Sequence, residues 1–380
     1  MRKVLLLGAS GNIGTQTLDI LSSDPASFEL VAISVGNRIQ KIPTILKRFP
    51  SVSYVCVKNE EDYLKLKKEY PSLKWFFGDQ GLLDIISSCD CSLVVNALVG
   101  FNGLYPSIKV LEENKILCLA NKESLVIAGD YINSLLRKGL GRLYPIDSEH
   151  VAIAKCLSKV PLEKVKKLIL TGSGGAFRNL PISALKDVTP EMALKHPTWV
   201  MGERITIDCA TMMNKGFEVI EAHHLFNFDY SNIDIILHDE SYVHSLIQLD
   251  DGSYYADVGK PDMHGPIAYA LYEGKAPFEI SKVNSLEEFK GYHFHPFSLE
   301  RYPAVPLAIK AGKGKIGRTA ILNAADEEAV KLFLKGRINF LDIVPICEEA
   351  LNFIKDDVKE VSDFGKLDRI AREFVIERYK

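Results

Sequence analysis

The stretch Val4-Leu5-Leu6-Leu7-Gly8-Ala9-Ser10-Gly11-Asn12-Ile13-Gly14 decides how the chain reads. Four apolar residues form a short strand, and the glycines after it are spaced GxxGxxG. Glycine lets a turn tighten and lets backbone N–H groups approach an anion. A strand, this loop and a helix in succession therefore predict a pyrophosphate seated at the positive end of a helix dipole. The loop alone would carry little weight; its place between a strand and a helix makes it a dinucleotide signal.

Working outward, short apolar runs alternate with amphipathic stretches up to about Ile146. Strands are expected at Val4 to Leu7, Leu30 to Val35, Val52 to Val57, Ser92 to Ala97, Ile116 to Ala120 and Arg142 to Ile146. Helices are expected at Thr15 to Leu21, Ile39 to Phe49, Glu60 to Glu69, Leu104 to Glu113 and Leu125 to Arg137. Strands so continuously apolar are covered on both faces, which gives an α/β class with an N-terminal Rossmann-like doubly wound sheet over residues 1–146. Past His150 the pattern changes. Val165 to Leu170 leads into a glycine-rich turn, a helix is expected around Asn214 to Phe226, Ile233 to Leu249 reads as two strands, and Asp257 to Pro266 is rich in turn formers. Residues 147–275 thus read as a central α+β domain, 276–303 as a connection without steady period, and 304–380 as a C-terminal helical domain.

The bulk properties agree. At 380 residues the chain exceeds the roughly 250 that one core supports, so two or three domains are expected. Hydrophobic residues make up 47% and charged ones 25%, the balance of a globular protein. With 46 basic against 49 acidic residues, net charge −3 and no basic block, nothing suggests a grip on nucleic acid or an anionic membrane; a small-molecule partner is expected. The apolar run after Met1-Arg2-Lys3 stops at Gly8, too short for a secretory segment, and no stretch reaches the ~20 apolar residues of a membrane span. Seven cysteines without a CxxC pair predict reduced thiols and a cytoplasmic setting, with Cys89 and Cys91 as buried structural thiols.

Five further segments carry chemistry. The second strand ends Val35-Gly36-Asn37-Arg38, with no carboxylate for a ribose 2′-hydroxyl; a guanidinium there suits a 2′-phosphate, favouring NADP(H) over NAD(H), against the plainer reading of Arg38 as a solvated helix start. Asp147-Ser148-Glu149 follows the last strand of the first half, and two carboxylates at i and i+2 in extended geometry point to one side and can share a hard cation. In Asn214-Lys215-Gly216-Phe217-Glu218 the spacing places Asn214, Lys215 and Glu218 on one helical face, flanked by apolar residues that bury it, where an unemployed charge is costly. Glu221-Ala222-His223-His224 contains one ExxH, which a di-metal bundle would need twice. Between these lies Leu170-Thr171-Gly172-Ser173-Gly174-Gly175, whose N–H groups and Ser173 hydroxyl can hold an anion, and then His196-Pro197-Thr198-Trp199-Val200-Met201-Gly202, a lid-like loop.

Together these segments resemble the 1-deoxy-D-xylulose 5-phosphate reductoisomerase family over nearly the whole chain. The motifs are GASGNIG at Gly8, LANKESLV at Leu119, PIDSEH at Pro145, LTGSGGAFR at Leu170, HPTWVMG at His196, ATMMNKGFEVIEAHHLF at Ala210, KPDM at Lys260 and ILNAADE at Ile321. The resemblance implies a V-shaped homodimer that rearranges and reduces a small phosphorylated sugar with NADPH and Mg²⁺ or Mn²⁺, Co²⁺ being a possible substitute. Carried over by motif, Ser10, Gly11, Asn12, Ile13, Gly36, Asn37, Arg38, Asn121, Glu123 and Gly202 would contact NADPH. Asp147, Glu149 and Glu218 would ligate the metal and, with Lys122, form the reacting centre. Lys122, Ser148 and Glu149 would touch the sugar backbone; Ser173, His196, Cys209, Asn214 and Lys215 would surround its phosphate, with Trp199 closing over it. Cys209 stands where the family has Ser, Asp239-Glu240 where it has Pro-Gln, and Asp326 where it has Asn. The rival readings are a simple NADP-dependent aldehyde or homoserine-type dehydrogenase, which needs no three-carboxylate site, and a non-catalytic NADP(H) sensor, which leaves the Asn214, Lys215 and Glu218 face unexplained.

Overall fold

A computed structural model describes residues 1–196, 198–199, 201–277 and 291–379, so part of the expected lid and residues 278–290 of the expected connection lie outside the described residues. The chain divides into two compact units, one built from Met1–Ser124, Ile132–Asp147 and Asp262–Lys282, the other from Leu125–Tyr131, Ser148–Pro261 and Val283–Lys380.

In the first unit, strands and helices alternate in order: β1 Arg2–Leu7, α1 Asn12–Ser23, β2 Phe28–Val35, α2 Ile42–Arg48, β3 Tyr54–Val57, α3 Glu60–Glu69 and β4 Lys74–Phe77. Then come α4 Gly78–Ser88, β5 Leu93–Asn96, α5 Leu104–Glu112, β6 Ile116–Leu119, α6 Lys122–Arg137 and β7 Arg142–Pro145. All seven strands run parallel in the order β4-β3-β2-β1-β5-β6-β7. Val4 to Leu7 are fully buried, as expected of a strand covered on both faces. The order reverses at β1 and β5, and the Gly8 loop leaves the carboxyl end of β1 there, where open α/β sheets present their ligands. β4 and α4 were not anticipated: Lys74-Trp75-Phe76-Phe77 is a four-residue edge strand without alternation, and Gly78, with φ +68, opens α4. The expected helix from Ile39 begins as a 3₁₀ turn, Ile39–Lys41, before α2.

The second unit contains α7 Ser148–Leu157, β8 Val165–Gly172, α8 Pro190–Ala193, α9 Glu203–Thr211, α10 Met213–Phe226, β9 Ile233–His238, β10 Val243–Leu249 and β11 Tyr254–Val258. Helix α11, His264–Leu271, returns to the first unit and packs on α1; β12 Phe294–Pro296 belongs again to the second. A mixed sheet, β11-β10-β8-β9-β12, is parallel only between β8 and β9. β11 lies between the strands expected up to Leu249 and the turn-rich stretch from Asp257, overlapping the latter at Asp257 and Val258, and β12 falls in the expected connection; both are short edge strands with exposed residues, so no buried apolar run marks them. Four helices close the chain, α12 Ala304–Gly312, α13 Arg318–Leu334, α14 Ile343–Phe353 and α15 Ser362–Tyr379. Gly216 lets α10 approach α12 closely, since a Cβ there would lie 2.7 Å from Ala308 Cβ. The seven cysteines are unbridged, and no helix among the described residues is long and apolar enough to cross a membrane.

Asp326 sits fully buried on α13, with Arg204 Nη2 3.5 Å away, and Arg204 also binds Asn323 and Glu327. Burial pushes the Asp326 carboxyl up to about 6 against the pull of Arg204. Because the folded-state value lies above the ordinary aspartate value, stability from this group is complete at low pH and is lost as pH rises through about 6. Asp326→Asn removes the titration while keeping volume. The variant is expected to melt above wild type at pH 8, by the equivalent of about 2–3 kcal/mol, and close to it at pH 4.5. Calorimetry decides; a variant that melts below wild type at pH 8 would mean the ionised carboxylate stabilises Arg204 more than its burial costs.

Candidate active site

The Gly8 loop is held open by sterics. Gly8 has φ +85, and a Cβ on it would lie 2.6 Å from Ala97 O; a Cβ on Gly14 would lie 2.2 Å from Gly8 O. Only glycine lets β1 turn beside β5 and lets α1 start against the loop. Gly8 N–H and Ala9 N–H donate to Ser34 Oγ and Ser34 O, each at 2.9 Å, fixing the loop to β2. Helix α1 begins after Gly11 with no side-chain cap and no acidic residue in its first turn, so Asn12 and Ile13 open a helix end suited to an anion. Ser10 is buried within the loop, and Gly36, Asn37 and Arg38 are exposed after β2. Arg38 Nη1 lies 3.4 Å and Lys41 Nζ 3.0 Å from Ser10 O. Lys41 was missed in the sequence; its signal was a second cation three residues after Arg38.

The same unit places Asn121 as the cap of α6, its side-chain oxygen accepting from Ser124 N–H at 3.1 Å and its amide donating to Leu98 O and Gly100 O. Glu123 accepts from Gly100 N–H at 3.1 Å, so Asn121 and Glu123 together shape the turn after β5. Lys122, buried between them in sequence, ion-pairs with Asp147 Oδ2 at 2.7 Å.

In the second unit Glu149 lies in the first turn of α7, a correction to the extended geometry expected for Asp147-Ser148-Glu149: Ser148 starts a helix there, and Ser148 Oγ donates to Glu149 Oε2 at 2.6 Å. Lys215 Nζ is 2.8 Å from Glu149 Oε1 and also donates to Glu218 Oε2, and Asn214 Nδ2 donates to Glu218 Oε1. Asn214, Lys215 and Glu218 thus share one buried face of α10, as their spacing required. Burial alone would lower the Lys215 pKa, but Glu149 and Glu218 outweigh it and raise it, keeping the ammonium charged. Two hard oxygen-donor carboxylates held against one buried cation are a donor set that a divalent ion of the Mg²⁺ kind fits.

β8 feeds the second glycine-rich turn. Gly174 and Gly175 have φ +77 and +70, and a Cβ on Gly175 would lie 2.4 Å from Cys209 O, so α9 packs directly on the turn through the Cys209 backbone. Ser173 Oγ accepts from Gly175 N–H at 3.2 Å and lies 3.0 Å from His196 Nε2. His196 Nδ1 accepts from Thr198 N–H and Trp199 N–H, at 3.2 and 2.9 Å, which leaves the ring proton on Nε2, facing Ser173. Burial, then Arg178, depress the His196 pKa to about 4, so the ring is a neutral donor at neutral pH. Trp199 is half-buried, and Gly202 caps α9. Arg178 donates to Ser173 O and Asp239 O, at 3.2 and 3.1 Å, while Tyr302 OH donates to Gly174 O at 3.1 Å. These two buttresses were not singled out in the sequence, although Arg178 closes the LTGSGGAFR motif.

A parallel sheet with a glycine loop at its switch point, joined in one chain to a buried carboxylate–lysine cluster and an anion turn, defines an enzyme of the Rossmann-type, dinucleotide-dependent class. Residues 4–129 match the sequence profile of 1-deoxy-D-xylulose 5-phosphate reductoisomerase, and 143–226 and 258–374 match two profiles of its C-terminal domains. The chain is 43% identical over 383 aligned positions, covering 100% of both sequences, to 1-deoxy-D-xylulose 5-phosphate reductoisomerase 2 of Bacillus thuringiensis subsp. konkukian (strain 97-27). Among solved structures, the enzyme from Zymomonas mobilis in complex with NADPH superposes with a TM-score of 0.91 at 33% identity, covering 100% of this chain and 99% of that one. A DOX-P reductoisomerase in complex with NADPH, fosmidomycin and magnesium gives 0.92 at 32%, covering 99% and 98%. The chain belongs to the 1-deoxy-D-xylulose 5-phosphate reductoisomerase family, which sets aside the simple dehydrogenase and the non-catalytic sensor.

The depressed His196 pKa has a testable sign. Its neutral form contributes stability above the ordinary histidine value, and that contribution is lost as pH falls through about 4. Side-chain NMR of the histidines is expected to show one imidazole as the Nε2–H tautomer with its midpoint near 4. A His196 midpoint of 6 or above would mean that the ring is solvated and the Ser173 contact unformed.

Proposed function

We propose that this chain converts 1-deoxy-D-xylulose 5-phosphate into 2-C-methyl-D-erythritol 4-phosphate in non-mevalonate isoprenoid biosynthesis, using NADPH and a divalent cation, Mg²⁺ or Mn²⁺. Family membership supports the reaction, and the observation that carries the site is Lys215 buried between Glu149 and Glu218. Asp147, two residues before Glu149, completes the proposed ligand set. Held by Asp147, Glu149 and Glu218, a divalent cation would supply Lewis acidity toward the substrate's oxygens. NADPH, held by the residues named next, would supply the hydride for the reductive part of the reaction. The open end of α1 holds the pyrophosphate, and Gly36, Asn37 and Arg38 the adenosine end; Asn121, Glu123 and Gly202 complete that site.

The protein's own groups do the positioning. Lys122, charged beside Asp147, faces the oxygen charge that shifts along the sugar, with Ser148 and Glu149 on the backbone hydroxyls. The phosphate is held by Ser173, Asn214, Lys215 and the neutral Nε2–H of His196, while Cys209 offers a thiol, a weaker donor than the family's serine. Trp199 closes over the substrate and excludes water.

Glu218→Gln is expected to cut turnover by at least about a hundredfold with NADPH binding retained, because a metal charge is lost far along the chain from the Gly8 loop. The same variant should lose the rise in melting temperature that Mn²⁺ gives wild type. Near-normal turnover at saturating Mg²⁺, or an undiminished Mn²⁺ shift, would sink the metal assignment.

We further infer a homodimer in the cytoplasm. β11 is the outer strand of its sheet, and Tyr254, Tyr255 and Val258 are exposed on it, an unprotected edge of the kind that takes a second copy. Sedimentation should give a dimer for wild type and a monomer for the double variant Tyr254→Glu with Tyr255→Glu; a dimer in both would place the contact elsewhere.

A further inference from the structure

Arg38 and Lys41 form an arrangement that the glycine loop does not explain. After β2 the chain makes the 3₁₀ turn Ile39–Lys41, closed by Lys41 N–H donating to Arg38 O at 3.1 Å. That turn brings both side chains to one acceptor. Arg38 Nη1 is 3.4 Å and Lys41 Nζ 3.0 Å from the carbonyl oxygen of Ser10, inside the loop that opens α1. Among the described residues, no carboxylate lies in ion-pair contact with either cation. Two positive charges therefore share one neutral oxygen, with their mutual repulsion uncompensated. A site in that condition is matched to an anion of more than one charge.

We propose that Lys41, with Arg38, forms the subsite for the cofactor's 2′-phosphate, and that Lys41 is the principal specificity-determining residue for NADPH over NADH. The proposal rests on the NADPH reading above. A phosphate monoester carries about −1.5 to −2 at neutral pH, which two cations neutralise and one does not. Lys41 has the better-prepared side chain. It stands where the 3₁₀ turn passes into α2 and is half-buried, whereas Arg38 follows the exposed Gly36 and Asn37 and is itself exposed. Less side-chain freedom is lost when the half-buried ammonium takes up the phosphate. Arg38 adds a planar fork from the solvent side.

The test is direct binding to the full-length protein, with nucleotide fluorescence followed as NADPH or NADH is titrated, and adenosine 2′-phosphate against adenosine 5′-phosphate as displacing probes. Lys41→Ala is expected to weaken NADPH and adenosine 2′-phosphate by about tenfold or more, as loss of a charge-assisted contact does. NADH and adenosine 5′-phosphate should change less than about twofold by the same reasoning, and Lys41→Arg should restore most of the preference. Added salt should erode the wild-type preference more than that of Lys41→Ala. If Lys41→Ala weakens NADPH and NADH equally, Lys41 merely supports the loop through Ser10 and the proposal is overturned. If the preference survives intact in Lys41→Ala, the proposal also falls while the NADPH reading stands. A wild-type protein that binds NADPH and NADH alike would overturn that reading itself.

Discussion

One buried ammonium organises the second unit. Lys215 is almost completely removed from water, and such a charge is costly unless partners are placed around it. Glu149 from α7 and Glu218 from α10 supply them, so the two helices must meet in one register. His150 tightens the fit: its Nε2–H donates to Glu218 O at 3.0 Å, and its Nδ1 lies 3.4 Å from Glu221 Oε2, with both side chains fully buried. Losing one member of a buried pair costs about 3–5 kcal/mol, which makes the carboxylates both a structural demand and a ready donor set. Met212, with φ 62, breaks α9 from α10 and aims Asn214 and Lys215 at that cluster.

The glycine-rich turns of both units depend on backbone approaching backbone. At Gly8 and Gly14 the obstacles to a side chain are Ala97 O and Gly8 O; at Gly175 the obstacle is Cys209 O. In each case a strand runs into a turn that packs so closely on neighbouring backbone that only glycine fits there. The difference lies in the support. The first turn leans on Ser34 of the neighbouring strand, whereas the second is clamped by Arg178 and Tyr302, which arrive from well outside the motif.

The departures from the family pattern fall into separate surroundings. Asp239 and Glu240 meet imidazoles, His295 Nε2 at 3.1 Å and His293 Nδ1 at 2.5 Å, at the β9–β12 edge, close in the chain to the carbonyl that Arg178 binds. Asp326 lies in the buried ionic cluster around Arg204, whose helix begins directly after Gly202. Cys209 lies on α9, and it is its main chain, not its thiol, that makes the close approach to Gly175.

Periodicity and spacing determined much by themselves. The strands at Val4, Leu30 and Ile116 were legible because full burial demands unbroken apolar runs. The Asn214, Lys215 and Glu218 face was legible because helical spacing fixes it. The GxxGxxG loop was legible because local sterics leave glycine no substitute at Gly8 and Gly14. Tertiary structure alone decided the rest. β4, β11 and β12 are short edges whose residues carry no burial pattern, and they become strands only by pairing with a neighbour already in place. Glu149 turned out helical because α7 docks against α10, and Lys41, Arg178 and Tyr302 joined the sites through contacts that no spacing along the chain encodes. A residue's local preference is written in its neighbours in sequence, but its partners in space are set by how separate elements pack, and the chemistry of this chain uses both.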